Sequence, residues 1–139
     1  MGVGVDVENF ADADRARAME RLVIRGEEHL ALPALGLDRR AALSVIFSAK
    51  ESFFKAAFPV VCRFFDFDAL ALVGAEMAGQ RLIFRLRRSL AAGLGAGRKI
   101  EVEWRRLPGR VITATVLPAN PVQRAGANGR GPAQPRCLG

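Results

Sequence analysis

The stretch Phe47-Ser48-Ala49-Lys50-Glu51-Ser52-Phe53-Phe54-Lys55 constrains the fold more than any other. It reads as part of one long amphipathic helix, with a charged trio, Lys50, Glu51 and Lys55, set among phenylalanines. Ser44, Ser48, Glu51 and Lys55 recur at i, i+4, i+7 and i+11, which places them on one narrow polar stripe. Leu43, Ile46, Phe47, Phe53, Phe54, Ala57 and Phe58 fill the opposite arc. Lys50 falls inside that apolar arc, so its stem must run along aromatic surface or its ammonium must meet an anion. A Glu51–Lys55 pair on a solvated face would account for the spacing without any function.

Around this helix the chain reads as α+β. Residues 2–7 alternate glycine and valine up to Asp6 and Glu8, which predicts a short buried strand. Residues two apart on a strand share a face, so both carboxylates can converge on one spot. Two neighbouring carboxylates repel, and magnesium suits such a pair because it takes a few carboxylates together with phosphate oxygens and water. The plainer reading is that Asp6 and Glu8 end a strand and cap the next helix. A helix is expected over 11–24, with Met19, Leu22 and Val23 toward the core. A short helical turn should follow at 27–30, where Glu28 reads as a surface carboxylate and His29, the only histidine, as a surface residue. Asp38 is placed to cap the main helix, predicted over 39–58 and stopping before Pro59. Phe64, Phe65 and Phe67 are expected to cover the sheet.

Strands are predicted at 69–73, 80–86, 99–105 and 110–117, with turns at 74–79 and 107–109 giving two hairpins. A short helix is expected over 89–94. The glycine-rich run 93–97 lacks a Gly-Lys-Ser/Thr ending and reads as a connection, not a phosphate-binding loop. Residues 119–139 are rich in Gly, Pro, Ala and Arg and are read as a disordered basic tail, leaving one domain over 1–118.

The net charge of +7 is uneven: acids crowd the first 30 residues and bases gather over 81–110. Such a basic face would attract an anionic partner, be it nucleic acid, a nucleotide phosphate or an acidic protein. The apolar runs are too short to span a bilayer, and the N-terminus lacks the basic and apolar regions of a signal peptide. Cys62 and Cys137 have no metal-ligand spacing, so a cytoplasmic protein with free thiols is expected.

Read together, Gly4-Val5-Asp6-Val7-Glu8 and the Lys50-Glu51-Ser52 to Lys55 segment resemble the paired motifs of the 4'-phosphopantetheinyl transferase superfamily. The order and separation of the two motifs agree, and Phe58-Pro59 is similar to the enterobactin-synthase (EntD/Sfp-like) branch. The resemblance runs from Gly2 to about Pro118. It implies an antiparallel sheet packed on a long helix, one half of a two-half fold, with the N-terminal half expected to be missing. It implies magnesium-dependent transfer of the phosphopantetheine arm of coenzyme A to a serine of an acyl or peptidyl carrier protein. Asp6, Glu8 and Glu51 match the metal-binding carboxylates. Glu51 or a water it orients would take the serine proton, and Lys55 would bind phosphate. Lys50 would help hold the coenzyme or pack at the domain junction. Partners implied are coenzyme A, a carrier protein of siderophore or other secondary-metabolite biosynthesis, and a second copy or a separate front half.

Two other readings stand beside the enzyme. A truncated, non-catalytic relative would dock an acidic carrier protein or the missing half without transferring anything. A nucleic-acid binder rests on basic charge alone, and no recognised motif or spaced stacking platform supports it, so neither nucleic acid nor a membrane span is expected.

Overall fold

A computed structural model describes residues 2–118. The expected tail and Cys137 lie outside the described residues. Cys62 is disulfide-bonded, not the free thiol expected.

Five strands form one antiparallel sheet in the order β1-β5-β4-β3-β2: β1 (Gly2–Asn9), β2 (Leu70–Glu76), β3 (Arg81–Leu86), β4 (Lys99–Leu107) and β5 (Arg110–Leu117). Three helices, α1 (Ala13–Val23), α2 (Glu28–Ala31) and α3 (Arg39–Val61), complete the fold. Helix α3 packs across β1 and β5, α1 packs on α3, and α2 on β2. The protein is therefore α+β, an antiparallel sheet against one long helix. Period-two patterning explains the layering: on β4, Ile100, Val102 and Trp104 are buried, while Lys99, Glu101, Glu103 and Arg105 face solvent. On that outer face Arg81 pairs with Glu101 and Glu103, and Lys99 with Glu101. Part of the basic surface is thus neutralised by its own neighbours.

Both hairpins form, β2 to β3 and β4 to β5. Gly109 supplies the positive φ, 69°, that the second turn requires. The first turn is shorter than expected because β2 continues past a register shift at Leu72 and Gly74 to Glu76. Residues 89–94 do not form the predicted helix. Leu90 and Leu94 instead close a tight turn through an Ala91–Leu94 bridge. Met19 and Val23 join the core as expected, whereas Leu22 is half exposed on the outer side of α1.

Helix α3 starts where expected, the Ala41 N–H donating to Asp38 Oδ1 at 3.0 Å. It does not stop before Pro59 but runs to Val61, closed by Cys62 in the left-handed region. There the proline removes only the N–H that would have met the Lys55 carbonyl, and the helix is held beyond it by the Cys62 N–H donating to the Phe58 carbonyl at 2.8 Å. Ser44 and Ser48 of the expected polar stripe, and Ser52 beside them, are buried and not solvated. Ser48 and Ser52 hydroxyls meet Thr113 Oγ1 at 2.9 and 2.6 Å, and Ser44 Oγ accepts from the Ala11 N–H at 3.0 Å. Small side chains with satisfied hydroxyls let helix and sheet approach closely. Among the aromatics, Phe65 packs on Phe53 and Phe54, and Phe67 on Phe47, so they cover α3 more than the sheet. Phe64 stays 80% exposed.

Candidate functional site

Strand β1 is not the fully buried strand its valines suggested. Its glycines point inward at α3, and Val3, Val5 and Val7 face out, 57%, 47% and 48% exposed. The alternation that turns Gly2 and Gly4 toward the helix carries Asp6 and Glu8 to the same face, next to the C-terminal half of α3. There Lys55 Nζ donates to Asp6 Oδ1 at 2.8 Å and to the Val5 carbonyl at 3.1 Å. Asp6 is 8% exposed, and its second oxygen, Oδ2, is buried without a hydrogen-bond partner. A buried carboxylate oxygen left without a partner is costly, so it marks a place for a cation or donor.

Glu8 and Glu51 complete the cluster. Burial first, and then the Asp6 charge, raise the Glu8 carboxyl above its usual range, with a hydrogen bond between protonated Glu8 and Asp6 adding to the rise; the Arg15 guanidinium, 2.9 Å from Glu8 Oε2, works the other way. Glu51 is raised by burial and by Asp6, with Lys55 opposing. The Lys55 ammonium is held charged by its hydrogen bond to Asp6 and by all three acids. Thus Asp6, Glu8, Glu51 and Lys55 come together in electrostatic reach of one another. Among the described residues, no group of three or more acids, histidines or cysteines stands close enough together to hold a metal ion as it is. The excess of acid over base, the orphaned Oδ2 and the hard oxygen donors nevertheless fit a divalent cation such as magnesium.

Lys50 is not brought to this cluster. It meets an anion as the sequence demanded, but a buried one: Lys50 Nζ lies 3.0 Å from Glu28 Oε2 and 2.6 Å from the Val23 carbonyl. Glu28, expected at the surface, is fully buried. It also accepts from the N–H groups of Arg25 at 3.1 Å and Leu72 at 2.9 Å, and from Arg87 Nη2 at 3.2 Å. It thereby ties the end of α1, α3, β2 and the exit of β3 to one point. Burial pushes the Lys50 ammonium below its ordinary range, with Glu28 opposing. Only the misplaced Lys50 could have signalled this pairing in the sequence. His29 is at the surface, as expected.

A cavity of ≈ 100 Å³ opens here, lined by Phe53, Phe54, Phe64, Phe65, Phe67 and Leu70 together with Lys50, Glu51 and Asp66. Its walls suit an apolar group.

The model of the 4'-phosphopantetheinyl transferase superfamily matches residues 2–106, a span that holds every member of this cluster. The chain belongs to that superfamily. No curated protein resembles the chain closely enough to count as a match. The five-stranded sheet against α3 is consistent with a half-domain of the transferase fold. No helix among the described residues of this transferase domain is long and apolar enough to cross a membrane.

Glu51 makes the stability of the fold depend on pH. Its carboxyl is raised above 4.5 in the folded chain, so the unfolded chain holds fewer protons on this group once the pH exceeds 4.5. The contribution of Glu51 to stability is therefore fully present below that pH and is lost as pH rises through its folded value. Glu51→Gln should gain stability relative to the parent over that window, without added metal, in urea titrations at several pH values. A pH-independent difference would contradict the assignment.

Proposed function

We propose that the chain transfers the phosphopantetheine arm of coenzyme A to a serine hydroxyl of an acyl or peptidyl carrier protein, as a relative of the EntD/Sfp-like branch. The observation that carries this is the meeting of Asp6, Glu8, Glu51 and Lys55 between β1 and α3, with Asp6 Oδ2 buried and unpaired. Magnesium would be held by Asp6, Glu8 and Glu51. When bound it supplies charge neutralisation for the pyrophosphate oxygens of coenzyme A.

The remaining chemistry belongs to side chains. Attack of a serine on phosphorus needs little covalent help and much positioning and charge compensation. Glu51 is the group placed to take the serine proton, directly or through an oriented water. Lys55, one turn further along α3, carries the positive charge that steadies the departing phosphate. The phenylalanine-lined cavity beside Glu51 would seat an apolar portion of a substrate. Lys50 stands behind the site, bracing α3 through Glu28, and is not assigned to the coenzyme.

The outer face of β1 supports association with a second copy or a separately supplied half. Val3, Val5 and Val7 pair across β5 with Val116, Ala114 and Ile112, and together they make an apolar strip at the sheet edge. If the active unit is an assembly, the transfer rate per chain should rise with chain concentration, or depend on an added N-terminal half. Binding of a carrier protein without transfer in any of these mixtures would favour the non-catalytic reading.

A further inference from the structure

We propose that Lys55 is a built-in counter-ion which a divalent cation must displace from Asp6, so that loading the carboxylates and freeing the ammonium for phosphate are one exchange. The inference rests on the magnesium reading above and adds a regulation of the same site.

Lys55 Nζ is fixed by two acceptors on one strand, Asp6 Oδ1 and the Val5 carbonyl, 2.8 and 3.1 Å away. It is therefore docked on β1 and not sweeping through solvent. Asp6 is nearly buried, its side chain 9% exposed, so a ligand reaches its carboxylate from a narrow range of directions. One oxygen is already taken by the ammonium, and the other is buried and unpaired. A cation drawn in by Asp6, Glu8 and Glu51 would lie close to a positive charge that cannot give up its place without leaving both acceptors. Like charges this close repel, although water on the open side of Lys55 weakens the repulsion.

Departure is easy for Lys55 because its side chain is still 49% exposed and its stem is long and flexible. No proton moves in the exchange: the ammonium leaves charged. Lys50, by contrast, is locked at 1% exposure and takes no part. The consequence is an order of events. Without the metal, the phosphate-binding lysine is held against a carboxylate, and the site has low affinity for the coenzyme's phosphates.

The test uses the full chain and no coenzyme. The ¹⁵N signal of the Lys55 ammonium, identified by its loss in Lys55→Met, is followed during a magnesium titration, while calorimetry reports saturation. The proposal expects the protected signal to disappear in step with saturation, and Lys55→Met to bind magnesium about threefold to fivefold more tightly. Saturation with the Lys55 signal unchanged would overturn the exchange while leaving the magnesium reading intact. No saturable binding in either protein would overturn both, and a signal that vanishes with sodium chloride alone at matched ionic strength would show screening instead of displacement.

Discussion

Gly4→Ala is expected to cost at least about 3 kcal/mol of stability and to separate β1 from α3. A Cβ at Gly4 would lie 1.7 Å from the Ser52 carbonyl oxygen and 2.9 Å from the Ala56 nitrogen. Both are backbone atoms in the middle of a helix, so no rotamer change relieves the clash. Gly2 is held the same way, 2.2 Å from the Ala56 carbonyl oxygen. The strand would have to lift off, taking Asp6 away from Lys55 and Glu51. Denaturant unfolding and magnesium calorimetry should therefore fail together in this variant. Gly74→Ala is the control: nothing lies within 4 Å of its added Cβ, and its φ is not positive, so the change should cost less than about 1 kcal/mol. A Gly4→Ala protein as stable as the parent would mean that β1 does not lie on α3 as described.

The second large effect is expected at Glu28. Glu28→Ala leaves the Lys50 ammonium buried with the Val23 carbonyl as its remaining hydrogen-bond acceptor, and strips the Leu72 and Arg25 N–H groups of a carboxylate acceptor. Removing one partner of a buried ion pair costs about 3–5 kcal/mol, much of it the uncompensated charge left behind. Changing both residues, as Glu28→Leu with Lys50→Met, removes the orphan and should cost clearly less than the sum of the single changes. The pH dependence gives an independent sign. Burial already lowers the Lys50 ammonium from 10.5, and without Glu28 nothing comparable opposes it. Between its folded value and 10.5 the unfolded chain then binds more protons, so Glu28→Ala should regain stability as pH rises through that range. Additive single and double effects, measured by urea midpoints, would show that the two groups do not depend on each other.

Much of the architecture was legible because it is written in short-range patterns. The period-two strands, the Asp38 cap and the two hairpins each need only a handful of adjacent residues. The chance of Asp6 and Glu8 sharing a face was equally local. What could not be read was decided at a distance. The burial of Glu28 depends on Lys50, 22 residues on, and on Leu72, 44 residues on. Lys55 turns to Asp6 across the strand and not to Glu51 one turn away, because β1 comes closer to its ammonium than helix geometry alone would suggest. The valines of β1 looked like core, yet glycine is what the helix demands on the facing side, and the valines are left outside. Pro59 failed to stop α3 because one missing N–H does not end a helix whose next turn is closed by the Cys62 N–H on the Phe58 carbonyl.

The buried brace and the acidic cluster are adjacent in sequence, at Lys50 and Glu51, and this adjacency links stability to chemistry. One residue fixes the rotation of α3 from behind, and the next presents its carboxylate toward β1. A helix rotated by one residue would turn Glu51 by about 100° and away from Asp6. The brace therefore matters to the proposed reaction without touching a substrate.

The most direct measurement is the mass of an apo carrier protein after incubation with the full chain, coenzyme A and magnesium, beside the same mixture with Glu51→Ala. The account predicts addition of one phosphopantetheine to the carrier serine, lost with chelator and reduced at least about a hundredfold in rate by Glu51→Ala. An N-terminal half or a high chain concentration is to be supplied if the chain alone is slow. An unmodified carrier in every such mixture, or a rate indifferent to Glu51, would contradict it.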